Sequence, residues 1–326
     1  MSNMAKALVA AISLVSSLAW SPAALAQNYP SKAIQIIVPY PAGDLADVIA
    51  RSLGQKMSED LGQPIVVENK PGASGLVGLQ AALQAAPDGY TLVMGQMGSM
   101  AVAPNVNRWP FDVRKEFVPV AMAYTNYMMF VTNKDFPPKT LRELIDYSKK
   151  NPGKVRAAAN GTGGFPHLTL ELLKQKAGFD YTLIPYKGSG QIIPDVIAGR
   201  VEMTIFGFSG LYPLVKDGRL HAIAVTGRER APTAPDIPTV GETIPGYEAL
   251  GWFGLFARKG TPAAAIDRLN QAVNKAMKDP GIIEQAKTLG LDSAPGTPAQ
   301  FGQAWETDYK KWGDIIRSLG LEGSSK

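Results

Sequence analysis

The chain has 326 residues, a formal net charge of +5, no cysteine and two histidines. The missing cysteines exclude disulfide staples, thiolate metal sites and thiol nucleophiles, and two histidines leave zinc only an unusual carboxylate-rich ligand set. Its 33 Lys and Arg and 28 Asp and Glu are scattered without a basic run, which speaks against a nucleic-acid partner.

Residues 1–26 combine Lys6, an apolar core from Ala7 to about Trp20, and Ala24-Leu25-Ala26. That is the pattern of a secretory signal peptide cleaved after about Ala26. Ser13, Ser16, Ser17, Ser21 and Pro22 interrupt the run and disfavour a retained anchor, and no later stretch reaches the roughly 18 apolar residues of a membrane span. An exported chain without disulfides must stand on its core, and some 300 residues suffice for one large domain or two lobes.

AIQIIVPY predicts a first strand, and the turn PAGD leads to a helix over about Leu45–Leu61. Ile49, Leu53, Met57 and Leu61 recur every four residues as one buried stripe, with Gly62 as C-cap and Pro64 as stop. PIVVEN is a second strand, KPGASG a turn and about Leu76–Ala86 a helix; YTLVMG is a third strand that opens into QMGSMAVAP. Val118 to Val131 has no helical period and suits a long strand crossing between lobes. Thr140 with Glu143 predicts a capping box for the helix TLRELIDYSKKNPG. VRAAAN then enters GTGGFPH and the helix LTLELLKQKAG, TLIPYKGSG precedes QIIPDVIAGR, VEMTIFGFSG precedes LYPLVKDG, and LHAIAVTG closes the series. Arg228 to Glu248, rich in proline, is expected as a long surface connection. GWFGLFARKG returns as a strand before two helices over about Ala263–Lys278 and Ala299–Leu319. Strands alternating with helices indicate a parallel-rich α/β architecture.

Five glycine turns fall at predicted strand ends: PAGD, QMGS, GTGG, YKGSG and FGFSG. In open α/β sheets ligands bind outside those ends, and the unpaired N–H groups of a following helix suit an anion. Catalytic motifs are wanting: there is no G-x-S-x-G elbow, Walker loop or H-E-x-x-H. Ser99, Ser189 or Ser209 with His167 as base would be the makings of a secreted carboxylate-ester hydrolase, the weaker alternative, and no cofactor is implied.

Across the exported chain, YPSKAIQIIVPYPAG…DVIAR, VVENKPGASG, AAPDGYTLVMG, GTGGFPHLTLELLK, IPYKGSG and PTVGE…GY resemble, in order and spacing, the Bug family. These are the periplasmic solute receptors of tripartite tricarboxylate transport systems. The resemblance implies a two-lobed type II periplasmic-binding-protein fold, a Venus flytrap closing on a small organic carboxylate such as a dicarboxylate or aromatic acid. It also implies membrane permease subunits as partners, a monomer, and no catalysis; a sensor subunit is the alternative that shares the binding step. Two lobes are expected, 27–125 with 252–326, and 126–251. By resemblance Tyr40, Ala42, Gly43 and Asp44 approach the ligand, Ser99 offers a hydroxyl, Thr162, Gly163 and Gly164 offer hydroxyl and N–H donors, and Lys187, Gly188 and Ser189 line the opposite wall.

The chain departs from the family pattern at Asp44, where a second glycine is usual, at Met100, where many members carry histidine, and at Phe206-Gly207-Phe208, where many carry aspartate. Asp44 could cap its helix, taking the left-handed backbone a glycine would occupy, or face the cleft and repel a carboxylate. Asp47 could favour the helix dipole or organise the ligand loop. His167 could donate to the ligand or cap its helix. Phe206 and Phe208 could pack on a ligand or belong to the core. His221, in an apolar strand, is expected to be structural.

Overall fold

A computed structural model describes residues 29–186 and 189–323, with only the backbone at Ser189. The expected signal peptide, Lys187, Gly188 and the Ser189 side chain lie outside the described residues. Ten strands are present there: β1 (Ile34–Val38), β2 (Ile65–Asn69), β3 (Thr91–Gln96), β4 (Phe117–Asn133), β5 (Arg156–Asn160), β6 (Thr182–Tyr186), β7 (Met203–Gly207), β8 (Leu220–Val225), β9 (Leu250–Arg258) and β10 (Leu291–Ser293). Their order is β2-β1-β3-β9-β4-β7-β5-β6, with β8 and β10 also paired to β4.

The long strand β4 joins the two halves. Residues Phe117 to Tyr127 pair antiparallel with β9, and from Met128 onward the strand pairs with β7 and β8. One lobe is thus built on β2-β1-β3 and the other on β7-β5-β6, each internally parallel. The sheet as a whole is mixed rather than parallel-rich, because β4 and β9 cross it in opposite directions and β8 and β10 run against β4.

Helix Leu45–Leu61 forms as its periodicity predicts, burying Ile49, Leu53, Met57 and Leu61 and ending on left-handed Gly62 (φ 67°). Its N-cap is Asp44, whose Oδ1 accepts from Ala46 N at 2.9 Å. The backbone there is extended (φ −63°, ψ 156°); the left-handed residue of this turn is Gly43 (φ 83°), so no aspartate strain arises.

Other starts shift. The helix after GTGG begins at Phe165, since extended Gly164 serves as N-cap and Pro166 fits the first turn. FGFSG is not a free turn: β7 runs to Gly207 and helix Phe208–Lys216 starts at once. Thr140 Oγ1 accepts from Glu143 N, but the Glu143 carboxylate takes Lys139 N, leaving half a capping box. Complete boxes occur instead at Thr239/Glu242 and Thr297/Gln300. Helix Pro280–Thr288 and β10 lie between the two C-terminal helices, in a stretch to which the sequence reading assigned no element.

The C-terminal helix Pro298–Ser318 ties the lobes together. Phe301 lies against bare Gly254 of β9, where a Cβ would meet Phe301 Cζ at 2.4 Å. Phe301 also packs with Phe256 and Trp252 at ring distances of 4.9 and 5.2 Å. Nearer the helix end, Trp312 meets Phe165 of the second lobe edge-to-face at 5.1 Å.

Candidate functional site

Two hollows of ≈ 480 and ≈ 510 Å³ share Gln96, Gly98, Asn160, Phe165 and Pro166 and so form one cleft. The first lobe supplies Tyr40, Asp44, Leu45 and the end of β3; the second supplies Asn160, Thr162 to Pro166 and Phe206 to Gly210; β4 and β9 form the floor with Asn126, Met128 and Gly251 to Phe253. A larger groove of ≈ 880 Å³ lies between residues 104–114 and the C-terminal helix. None of the five glycine turns lines it, and Arg114, Lys310 and Arg317 there are paired with Asp112 and Asp314. The cleft, not this groove, is where the strand-end turns meet.

PAGD owes its shape to Asp47. This buried carboxylate accepts from Gly43 N (2.9 Å), Asn69 Nδ2 (2.8 Å) and Arg51 Nε (3.1 Å). Burial works to raise its pKa, but those bonds and the Arg51 charge outweigh it and hold the group below its ordinary value. Asp47 therefore organises the loop without lining either hollow, and exposed Ala42 and Gly43 do not line them either. Asp44 does line the cleft while its Oδ1 caps the helix. The two readings of that residue are compatible.

Tyr40 walls the cleft, its phenol pushed up to about 12 by burial against hydrogen bonds to Ser99 and Gln96. Ser99 itself is fully buried and its Oγ exchanges hydrogen bonds with the Gln96 backbone at 3.3–3.4 Å. Its hydroxyl thus serves the turn rather than the cleft surface. Met100 is core, and its carbonyl accepts from Trp305 Nε1 at 2.8 Å.

On the second lobe, Thr162 and Gly164 line the cleft. Gly163 lines it too, but its N–H donates to His167 Nδ1 at 2.9 Å and is not a free donor. The accepting Nδ1 places the ring proton on Nε2, which faces Glu171 Oε1 at 3.6 Å. Glu171 Oε1 also accepts from Tyr181 Oη at 2.5 Å. His167 is buried in this chain of contacts and absent from the cleft lining. Phe206, Gly207 and Phe208 all line the cleft; Phe208 is also core, stacked on Tyr212 at 4.7 Å. His221 Nε2 lies 2.8 Å from the Lys139 carbonyl oxygen, away from the site.

Gln96, Asn126 and Asn160 escaped the sequence reading. Gln96 and Asn160 had a usable signal: each is the polar last residue of an apolar strand, directly before a glycine turn. The buried Oδ1 of Asn160 has no partner, and turning the amide over would present an N–H₂ donor there. The helices starting at Phe165 and Phe208 have no side-chain cap, so no N-cap side chain meets their partial positive charge. Among the described lining residues there is no lysine, arginine or histidine. Such a site can hold an anion through amides and hydroxyls.

The family profile of the Tripartite tricarboxylate transporter family receptor (TctC) matches residues 49–321. The chain belongs to this family. TctC-family proteins are solute-binding receptors, not enzymes, and the chain shares their periplasmic-binding-protein fold. The structure of periplasmic binding protein BugD is 32% identical, with a TM-score of 0.72, covering 90% of this chain and 99% of that one. Rpa4515 of R. palustris, solved with adipate, is 28% identical with a TM-score of 0.76 over 90% of this chain and 99% of its own. MatC from Rhodopseudomonas palustris, solved with bound malate, is 29% identical with a TM-score of 0.72 over 88% of this chain and 100% of its own.

Proposed function

We propose that this receptor captures a small organic carboxylate, a dicarboxylate or an aromatic acid, between its lobes and delivers it unchanged to the permease subunits of a tripartite transporter. The lobes are taken as 27–125 with 252–326 and 126–251, hinged where β4 and β9 cross, and the exported receptor acts as a monomer in the periplasm after cleavage near Ala26. One observation carries the reading: turns from both lobes, around Asp44, Gln96, Thr162 and Gly207, converge on a single cleft. Two uncapped helix N-termini at its second-lobe wall supply the field an anion needs. That two relatives were solved with adipate and malate supports the ligand class.

Thr162 and the amides of Gly164, Gln96 and Asn160 are assigned to the carboxylate, Tyr40 to the cleft wall, and Phe206 and Phe208 to the ligand's body. Calorimetry of the mature protein against mono-, di- and tricarboxylates is the test. A tight binder should also raise the melting temperature, because it binds only the folded state. Silence across a broad panel, or chemical alteration of a bound acid seen by mass analysis, would oppose the proposal.

A further inference from the structure

We infer that Asp44 sets the charge count of the ligand: the cleft takes a monoanion with an apolar body and rejects a dianion whose second carboxylate would lie beside Asp44. The inference rests on the carboxylate-receptor reading and narrows it. Asp44 is half-buried in the cleft wall, and among the described residues its carboxylate has one partner, the Ala46 amide of its own helix, which bonds Oδ1. The partial positive charge at that helix start, about half a unit, is therefore already over-compensated by a full carboxylate. No cation among the described lining residues offsets it.

The first-lobe and second-lobe walls of the cleft thus differ in sign. At the second lobe, the helices beginning at Phe165 and Phe208 carry no cap and can accept one carboxylate. In the same hollow half-buried Phe206, backed by the buried rings of Phe208 and Trp252, offers an apolar surface suited to an aromatic ring or an alkyl chain. A second anionic group held about 6 Å from Asp44, at an effective dielectric near 40, loses about tenfold in affinity. A hydroxyl or ammonium at the same place would instead gain an acceptor.

Two matched pairs, hexanoate with adipate and benzoate with terephthalate, isolate the second charge. Affinities are measured by calorimetry at neutral pH for the wild type and for Asp44→Asn, which retains a good N-cap; melting curves establish that the variant is folded. The wild type should favour the monoanion of the pair it binds by about tenfold or more, and Asp44→Asn should move that ratio about tenfold toward the dianion. A wild type that holds the dianion as tightly as its partner, or a ratio unmoved by Asp44→Asn, overturns the inference and leaves the receptor reading standing. Failure of both proteins to bind these four acids and the wider panel removes the receptor reading, and this inference with it.

Discussion

Removing the Asp47 carboxylate should unlock the PAGD loop, and its cost can be worked out bond by bond. In Asp47→Ala the Gly43 amide and Asn69 Nδ2 lose a charged acceptor at 2.9 and 2.8 Å, at about 1.5 kcal/mol each. The Arg51 pairing adds only about 0.5 kcal/mol, since the Arg51 side chain is 52% exposed and solvent screens it. The sum, about 3.5 kcal/mol, corresponds to a fall in melting temperature of roughly 7–14 °C at about 2–4 °C per kcal/mol. The pH dependence gives a second, independent check. Asp47's folded pKa is depressed, so its stabilisation is complete above the unfolded carboxylate value of about 3.9 and disappears as pH falls through the lower folded value. The gap between wild type and Asp47→Asn in urea unfolding should therefore be widest near neutrality and close in acid. A melting temperature for Asp47→Ala within 1 °C of wild type (on the order of 0.3 kcal/mol), or a gap constant with pH, would refute the assignment of Asp47 as the keystone of the loop.

Ser99→Ala should cost about 1 kcal/mol of stability and little affinity, because its Oγ is spent on the Gln96 backbone. Thr162→Ala should do the reverse, weakening the tightest panel ligand by about 1–3 kcal/mol in calorimetry if its hydroxyl meets the carboxylate. Glu171 is raised by burial but lowered further by bonds from His167 and Tyr181. Its contribution is likewise present above the usual carboxylate range and lost as pH falls through the depressed value, so Glu171→Gln should flatten the acid limb of stability in chemical denaturation. Gly254→Ala should destabilise by about 2 kcal/mol or more, since the new methyl would strike Phe301 Cζ at 2.4 Å and the Ala121 carbonyl at 2.7 Å; an unaltered melting curve would contradict that packing.

Local chemistry determined much of this molecule before any tertiary contact. The apolar spacing of Ile49, Leu53, Met57 and Leu61, Gly62 after it and Asp44 before it suffice for one helix with both ends. A stretch as long and aperiodic as Val118 to Val131 could hardly be anything but a crossing strand, and it is one. Capping and periodicity act within a few residues, so they can be read along the chain. Boundaries set by packing could not: helix Pro280–Thr288 and β10 exist because Ile282, Ala286 and Leu291 find a core to enter.

The site divides in the same way. That glycine turns would stand at strand ends followed from composition, but the direction of each group in them depended on neighbours remote in sequence. Nothing near Ser99 or His167 says that one hydroxyl would turn back on Gln96, or that one imidazole would take up the Gly163 amide and lean on Glu171. Asp44 meets the cleft because β3, β5 and β7 end around it. A donor's orientation is a property of the packed whole, since a buried polar group pairs with whatever the fold brings within 3 Å.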